Sequence, residues 1–286
     1  MEISWREHRE QLEHLTFAPE AAFADESQGR VREETPCLVR TCFRRDVDRI
    51  VHSKSFRRLK HKTQCFINPE GDHYRTRMTH TIEVTRIART VCSALRLNED
   101  LAEAIAWGHD LGHTPFGHAG ERALRSIVGH FEHNEQSLRV VDTLERGGAG
   151  LNLSFEVRDG ILNHTGSALP ATAEGQAVRI ADRIAYICHD TDDALRAGIL
   201  RDSDIPPEIA NVTGFGYSNR INTITLDLIR HSAKTGEIGF SPEMYFVMES
   251  FRDFMFSAVY TNQTAKSEET KVEGILHRLH NYYLKN

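Results

Sequence analysis

The amino-acid sequence predicts an all-α fold with one small β-hairpin. In most segments the apolar residues recur at helical spacing, as Ile87, Val91 and Leu95 do at i, i+4 and i+8. Turn and cap signals separate these segments; Ser241 and Pro242, for example, offer an N-cap followed by proline at the first helical position. Only residues 63–75 have a strand-like pattern, with a Pro/Gly turn at 68–72.

The spacing of apolar residues also places the individual helices. We expect them at residues 41–60, 79–95, 99–111, 121–128, 133–145, 155–163, 174–197, 219–234, 242–260 and 267–284. Residues 1–37 are charged and rich in turn signals, so we expect an N-terminal extension that is at best partly ordered. Residues 38–286 then form one main domain with C-terminal helices, long enough to bury a full core.

Composition limits the classes of function. The formal net charge of -6 argues against attraction of the whole molecule to nucleic acid, which is therefore not indicated as a partner. Residues 40–62 reverse the sign locally, with nine Lys and Arg against two Asp. That run indicates either a solvated helix face or a contact with polyphosphate or another subunit.

Cysteine usage and hydropathy indicate the compartment. The five cysteines are odd in number, form no C-x-x-C pair and lie mostly among apolar neighbours, as reduced thiols of a cytoplasmic protein do. The N-terminus has no signal-peptide core, and no apolar run is long enough to cross a bilayer. We expect a soluble cytoplasmic protein without a membrane partner.

Four residues from three separate apolar segments are candidate metal ligands: His80, His109, Asp110 and Asp182. Burying such groups costs several kcal/mol unless each finds a partner, and a divalent cation with water and a substrate phosphate supplies partners for all of them. Nitrogen and carboxylate ligands suit Mn, Fe, Co, Ni, Zn or, less well, Mg. A structural zinc would usually include cysteine, so the set favours one catalytic divalent ion.

The thirteen residues 109–121, HDLGHTPFGHAGE, contain three histidines and two acids. His109 and Asp110 close an apolar helix, so both side chains leave the core where a chain end can bend toward one ion. A second His-Asp pair, His189 and Asp190, lies inside a helix and is not assigned to the metal. His118 fits a general acid whose imidazole is oriented and kept protonated by Glu121.

Polar residues near the ligands are candidates for substrate contacts. Asp190 lies eight residues beyond Asp182 on one helix face, roughly 12 Å along the axis, which suits the far end of a nucleotide. Arg75, Arg77 and Arg183 flank the ligands and can bind phosphate or form salt bridges to them. The phosphate role is favoured for Arg77, and the two roles are balanced for Arg183.

Several segments together resemble the HD-domain deoxynucleoside triphosphate triphosphohydrolases, in particular the bacterial deoxyguanosinetriphosphate triphosphohydrolase-like branch. They are residues 74–80 (YRTRMTH), 109–121, 131–136 (FEHNEQ) and 179–186 (RIADRIAY), with the Arg-rich stretch 44–59 continuing to Gln64. The likeness covers residues 38–284. Family members usually continue into another helix carrying a D-Y-I-A-G-M-T-D-like motif, so a chain ending at Asn286 is expected to be truncated or a short variant.

The resemblance implies an α-helical HD-type phosphohydrolase domain that hydrolyses a dNTP to deoxynucleoside and tripolyphosphate, by water attack at the α-phosphorus. It implies the four metal ligands named above, and His118 with Glu121 as the acid pair. It also implies that His113 and His133 lie at the α-phosphate, that Arg77, Arg183 and Tyr186 bind the phosphates, and that Gln64 and Asp190 bind the sugar. A homo-oligomer is expected, and activation by another dNTP is left open.

Two other functions compete with this one. Another HD phosphohydrolase, acting on a monophosphate, a cyclic dinucleotide or guanosine tetraphosphate, would keep the tetrad but would not need His113, His118, Glu121 and His133 together. A nucleotide-gated binding protein without turnover, with a nucleic acid on the 40–62 face, would not need an intact tetrad and acid pair.

Overall fold

The structure, a computed structural model, describes the backbone of residues 3–64, 75–260 and 263–286, and leaves aside the side chains of residues 260–270. Within these ranges it is helical and contains no strand. The helices are α1 Trp5–Thr16, α2 Cys42–Val51, α3 Lys54–Arg58, α4 Arg77–Ala94, α5 Glu99–Gly108, α6 Gly117–Val128, α7 His133–Arg139, α8 Phe155–Asn163, α9 Ala173–Arg196, α10 Pro207–Thr213, α11 Tyr217–Thr235, α12 Pro242–Met255 and α13 Gln263–Lys285. The all-α prediction is confirmed.

The predicted β-hairpin falls mostly on residues 65–74, which lie outside the described residues. The flanking residues that are described do approach each other. Thr63 and Thr76 form an isolated antiparallel bridge, and Arg77 N donates to Lys62 O at 2.9 Å. The hairpin therefore stays a prediction.

Three of the predicted helices are interrupted or shortened for local reasons. The segment 41–60 breaks at His52, because the Ser53 hydroxyl caps a new helix by accepting from Phe56 N. The segments 133–145 and 242–260 begin as α-helices and change to π-turns at Val140–Leu144 and Phe256–Tyr260.

The N-terminal extension is ordered from residue 3 on, so the expectation of partial order is wrong. Helix α1 begins with a capping box between Ser4 and Glu7. Ala21 and Ala24 belong to the main hydrophobic core. Arg30 forms an ion pair with buried Asp46 of α2. Sequence patterns missed this segment because its contacts are made with residues far along the chain.

Helices α4, α5 and α9 form the centre of the fold, with α2 and α8 packed against them. Two glycines let α5 and α8 approach closely. A Cβ on Gly108 would lie 2.4 Å from Ile161 Cδ1, and one on Gly160 would lie 2.5 Å from Ile105 Cδ1. This close packing sets the position of the end of α5, where the candidate ligands begin.

The C-terminal helix α13 packs on α6. Val272 and Leu276 bury their side chains against Ala123 of α6. Among the described helices, none is both long and apolar enough to cross a membrane.

Glu13 gives the first testable prediction. It is buried, it accepts a hydrogen bond from Ala24 N at 2.8 Å, and burial raises its pKa from 4.5 to about 7. Since the folded state holds this proton more tightly, the carboxylate lowers stability as the pH rises from 4.5 through 7. Glu13→Gln keeps an acceptor without the charge, so it should raise the free energy of unfolding by about 1 kcal/mol at pH 8 and by little at pH 5.

Urea unfolding at the two pH values measures this difference. Glu20→Gln, at an exposed carboxylate, is the matched control. An equal effect of Glu13→Gln at both pH values would contradict the argument.

Candidate functional site

The four predicted metal ligands converge where α4, the end of α5 and α9 meet. His80 Nε2 lies 3.0 Å from Asp182 Oδ1, and His109 Nε2 lies 3.7 Å from the same oxygen. His109 Nε2 lies 3.9 Å from Asp110 Oδ2. His80, His109 and Asp110 are buried and offer ligand atoms within 4.8 Å of one another. The structure thus brings together groups that are 102 residues apart in the chain.

The hydrogen bonding of His109 leaves its Nε2 available to a cation. His109 Nδ1 lies 2.7 Å from the carbonyl of Ala106 and donates to it, so Nε2 carries a lone pair. That Nε2 is buried and has no hydrogen-bond partner among the described residues. A buried nitrogen that lacks a hydrogen-bond partner and faces carboxylates can bind a cation. The nitrogen and oxygen donors of the tetrad fit a divalent metal ion.

Both candidate carboxylate ligands are held in the charged form. Burial opposes ionisation of Asp110, but the charge of Arg77 holds its pKa well below the usual range. Burial likewise opposes ionisation of Asp182, and its hydrogen bond with His80 holds its pKa below the usual range. Both side chains can therefore act as anionic ligands at neutral pH.

Arg77 forms the buried ion pair beside the tetrad. Its Nη1 donates to Asp110 Oδ2 at 2.7 Å, while its Nε has no partner among the described residues. A Cβ on Gly117 would lie 3.4 Å from Arg77 Nη2 and 3.2 Å from the carbonyl of Gln64. The salt-bridge role is present in the structure; a phosphate contact by Arg77 remains a prediction.

A second group of polar side chains lies beside the tetrad and includes the predicted acid pair. His118 Nδ1 lies 3.5 Å from Glu121 Oε2. Glu121 Oε1 accepts from His133 N at 3.0 Å and lies 3.2 Å from His133 Nδ1. His133 Nε2 lies 3.2 Å from His164 Nε2, and His164 Nδ1 lies 2.7 Å from the carbonyl of Ile161. Glu121 is thus shared by two imidazoles.

The protonation of this group follows from its contacts. Burial opposes ionisation of Glu121, but its hydrogen bonds to His118 and His133 keep its pKa well below the usual range. Burial opposes the cation at His133, yet the Glu121 contact raises its pKa. Burial lowers the pKa of His164 to about 3, so His164 is neutral and accepts from His133 Nε2.

Glycines of the run 109–121 allow the close contacts that build the site. A Cβ on Gly112 would lie 2.1 Å from Ser137 N, so only glycine lets α7 approach this closely. Gly112 N donates to Ser137 Oγ at 2.9 Å, and Ser137 Oγ donates to the carbonyl of His109 at 2.7 Å. A Cβ on Gly120 would lie 2.0 Å from Pro115 O. The glycines therefore bring α6 and α7, with Glu121 and His133, beside the tetrad.

His113 lies between the two groups, and its contact with the α-phosphate stays a prediction. Its ring stacks on His133 with centroids 4.6 Å apart, and it lies 5.8 Å from the ring of His118. Burial, reinforced by the charge of Arg77, holds the pKa of His113 well below the usual range. His113 is therefore a neutral imidazole at the point where the tetrad and the acid pair meet.

Sequence reasoning missed three residues that contact the site. His164 contacts His133 and lies 5.1 Å, between ring centroids, from His109. His189 Nδ1 lies 3.4 Å from His80 Nδ1, and Glu83 Oε2 lies 2.9 Å from His189 Nε2. The spacing of seven residues from Asp182 places His189 on the ligand-bearing face of α9, a signal that was available. No sequence signal identifies His164.

The residues predicted to contact the substrate lie in different surroundings. Gln64 Oε1 is buried and has no partner among the described residues. Arg183 forms an ion pair with Glu249 of α12. Burial raises the pKa of Tyr186 to about 12, and Asp190 is buried farther along α9. These roles stay predictions.

Arg75 is a structural residue in this fold. Its guanidinium pairs with Glu83, Asp192 and Asp193, and it lies over the ring of Tyr217 at 4.9 Å. Because these contacts occupy the guanidinium, Arg75 has a structural role. Of the two roles predicted from the sequence, the salt bridge therefore fits Arg75 better than phosphate binding.

Comparison with known proteins matches two parts of the chain to two known domains. The HD domain matches residues 77–187, which contain the tetrad, and the phosphohydrolase-associated domain matches residues 238–286. A deoxyguanosinetriphosphate triphosphohydrolase-like protein of Caldanaerobacter subterraneus subsp. tengcongensis is 53% identical over 98% of this chain and 83% of its own length. A protein of the same name from Clostridium tetani is 45% identical over 99% of this chain and 85% of its own length.

A solved structure is similar in fold. The crystal structure of a hypothetical protein from Aquifex aeolicus matches with a TM-score of 0.52 and 21% identity, covering 82% of this chain and 60% of that one. Given the two matching domains and relatives of such identity over nearly the whole chain, the protein belongs to the HD-domain phosphohydrolases, in the family of deoxyguanosinetriphosphate triphosphohydrolase-like proteins.

Proposed function

We propose that this protein hydrolyses a deoxynucleoside triphosphate to deoxynucleoside and tripolyphosphate. The observation that carries the proposal is the group His118, Glu121 and His133 beside the buried tetrad. Attack of water at the α-phosphorus expels the 5′ oxygen of the nucleoside, a poor leaving group that needs a proton. A histidine oriented by a carboxylate is suited to supply that proton. The names of the relatives support the same substrate class.

His80, His109, Asp110 and Asp182 would hold one divalent ion. Such an ion would act as a Lewis acid on a phosphoryl oxygen and on the attacking water. The chain's own groups complete the electrostatics around the α-phosphate. His133, whose pKa is raised by its contact with Glu121, would contribute positive charge there, while Arg77 holds Asp110 in the ligand position through its 2.7 Å hydrogen bond.

His118 is the proposed general acid for the 5′ oxygen. Its side chain is 75% exposed, so it can reach a substrate that enters from solvent, while Glu121 behind it is only 8% exposed. A mostly buried anion 3.5 Å away can hold the imidazole in place. Donation of the proton from His118 leaves a neutral imidazole and a neutral 5′-hydroxyl.

The remaining contacts are assigned along the nucleotide. We assign Gln64 and Asp190 to the sugar, and Arg77, Arg183 and Tyr186 to the phosphates. The buried Oε1 of Gln64 has no partner within the described part of the chain, which supports its part, since such an atom needs a donor such as a sugar hydroxyl. For Arg183, its pairing with Glu249 means that binding phosphate would require exchange of partners.

Hydrolysis of another nucleotide by the same tetrad is the main alternative. A monophosphatase would also expel the 5′ oxygen, so the acid pair alone does not exclude it. The names of the relatives favour a triphosphate over these other substrates.

The products identify the reaction. With mixed dNTPs, Mn²⁺ and H₂¹⁸O, we expect deoxynucleoside and tripolyphosphate, with the label in the tripolyphosphate because water attacks the α-phosphorus. Mass spectrometry measures both. A nucleoside monophosphate with pyrophosphate, or turnover of monophosphates alone, would overturn the proposal. A 2′,3′-dideoxynucleoside triphosphate in the same assay tests the sugar contacts, and we expect slower turnover.

Loss of a proposed ligand should weaken metal binding. We expect His109→Ala to weaken metal affinity by more than about 100-fold, since losses of outer contacts alone cost 10- to 100-fold. Equilibrium dialysis with elemental analysis measures the affinity, and circular dichroism checks that the helices persist. His130→Ala is the control, because His130 is exposed and its partner among the described residues is Glu135. Full metal occupancy in His109→Ala would contradict the assignment.

Loss of the proposed acid should slow the chemical step without releasing metal. We expect His118→Ala to lower kcat by about 10²- to 10⁴-fold with metal content unchanged. A phosphodiester with a p-nitrophenolate leaving group needs no proton, so its turnover should fall much less. Equal losses on both substrates would mean that His118 acts in binding rather than as the acid.

A further inference from the structure

Three side chains of the run 109–121 have the ligand types of a further metal site. They are His113, His118 and Glu121, and each offers a ligand atom within 4.8 Å of those of the other two. His113 and Glu121 are buried, whereas the side chain of His118 is 75% exposed. Two imidazoles and one carboxylate form a ligand set that suits Zn²⁺, with water in the fourth position. None of the three belongs to the tetrad.

His113 carries the observation that points to a ligand. Its side chain is almost fully buried, and its Nδ1 has no hydrogen-bond partner among the described residues. Buried polar atoms usually have a partner, and the ring contacts of His113 with His118 and His133 do not supply one. The structure therefore leaves a buried imidazole of this set with a nitrogen available to an ion.

His118 and Glu121 are spaced as two ligands of one ion. His118 Nδ1 lies 3.5 Å from Glu121 Oε2. Two ligands at about 2.0–2.2 Å from a tetrahedral Zn²⁺ lie about 3.3–3.6 Å from each other. The two residues are one turn apart on α6, so their side chains share a face of that helix. Glu121 Oε1 accepts from His133 N at 3.0 Å, which leaves Oε2 for the ion.

The exposure of His118 allows the site to close on an ion. Ligand atoms that are up to 4.8 Å apart must come closer together before one ion can touch all three. His113 and Glu121 are buried and fixed by packing, but an exposed side chain such as that of His118 changes its χ angles readily. Rotation of this one side chain therefore completes the site without movement of the backbone.

Charge makes this site weaker than the tetrad. Glu121 is its one carboxylate, whereas Asp110 and Asp182 both belong to the tetrad. Arg77 and His133 lie nearby and oppose a further cation. The site should therefore fill only at metal concentrations above those that fill the tetrad.

We propose that His113, His118 and Glu121 bind a second Zn²⁺, more weakly than the tetrad binds its ion, and that this second ion slows turnover. On binding, the ion takes a lone pair of His118, and any proton on that nitrogen passes to solvent. An imidazole bound to an ion through one nitrogen cannot be an imidazolium, so His118 no longer has that proton to give to the 5′ oxygen. The inhibition rests on the proposed function, whereas the binding does not.

The number of bound ions tests the site without any turnover. Equilibrium dialysis against Zn²⁺ with elemental analysis should show two binding steps. We expect His118→Ala to remove the second step and to leave the first unchanged. His130→Ala, which removes a histidine from the exposed pair with Glu135, is the control and should keep both steps. A single step in the natural protein, or two unchanged steps in His118→Ala, would overturn the proposal.

Two further substitutions separate metal binding from packing. His118→Asp places a carboxylate oxygen close to where Nδ1 lies, so it should restore much of the second step that His118→Ala loses. His113→Ala should weaken the second step by more than about 100-fold, since losses of outer contacts alone cost 10- to 100-fold. Circular dichroism checks that this buried substitution leaves the helices intact. A second step that is unchanged in folded His113→Ala would exclude the buried imidazole as a ligand and overturn the site.

Turnover tests the inhibition. With Zn²⁺ as the only metal ion, dNTP hydrolysis should fall by about 10²-fold or more as the second step fills, because a general acid contributes about 10²- to 10⁴-fold. The slow turnover that remains in His118→Ala should not respond to excess Zn²⁺. Equal inhibition of that variant would place the inhibitory ion elsewhere. Two binding steps without dNTP turnover in either Zn²⁺ or Mn²⁺ would reject the proposed function and support the second site.

Discussion

The buried ion pair between Arg77 and Asp110 is the interaction on which the rest of the site depends. It joins the first residue of α4 to the turn after α5, and it keeps Asp110 charged despite burial. Breaking such a pair leaves an uncompensated buried charge and typically costs 3–5 kcal/mol. Arg77 also lies beside Gly117, so the same guanidinium connects the tetrad to the start of the helix that carries the acid pair.

Around that pair, carboxylates lie against the histidines of the site and orient them. Glu121 is shared by His118 and His133, and Glu83 lies against His189 behind His80. Each carboxylate is held by more than one donor, so it fixes the orientation of the imidazole beside it. It also affects whether that imidazole is protonated. Glycines permit this density of polar groups, because at Gly112 and Gly120 the neighbouring backbone occupies the space of a side chain. The histidine-rich run is therefore one structural unit as well as a set of functional groups.

Much of the architecture could be read from apolar spacing, and the exceptions have identifiable causes. Helix α8 has the expected bounds, and most others differ by a few residues at their ends, where capping decides. Helices α1 and α10 were missed, because α1 consists mostly of polar and charged residues and α10 has only 7 residues. The expected long helix 41–60 failed at Ser53, whose hydroxyl caps a new helix. The spacing of apolar residues indicates which face of a helix is buried. It does not indicate where a side-chain cap offers the backbone another hydrogen-bond partner and so interrupts the helix.

The sequence by itself determined the helical class, the family and the four residues that converge at the tetrad. It could do so because apolar period and the run HDLGHTPFGHAGE are local properties of the chain. Only the tertiary structure decided that His164 meets His133, that His189 and Glu83 stand behind His80, and that Arg77 engages a candidate ligand while Arg75 is used structurally. Those roles depend on distances between residues up to 118 positions apart, such as Arg75 and Asp193. Such distances are set by the packing of α4, α5, α8 and α9, and the spacing of residues within one helix does not encode them.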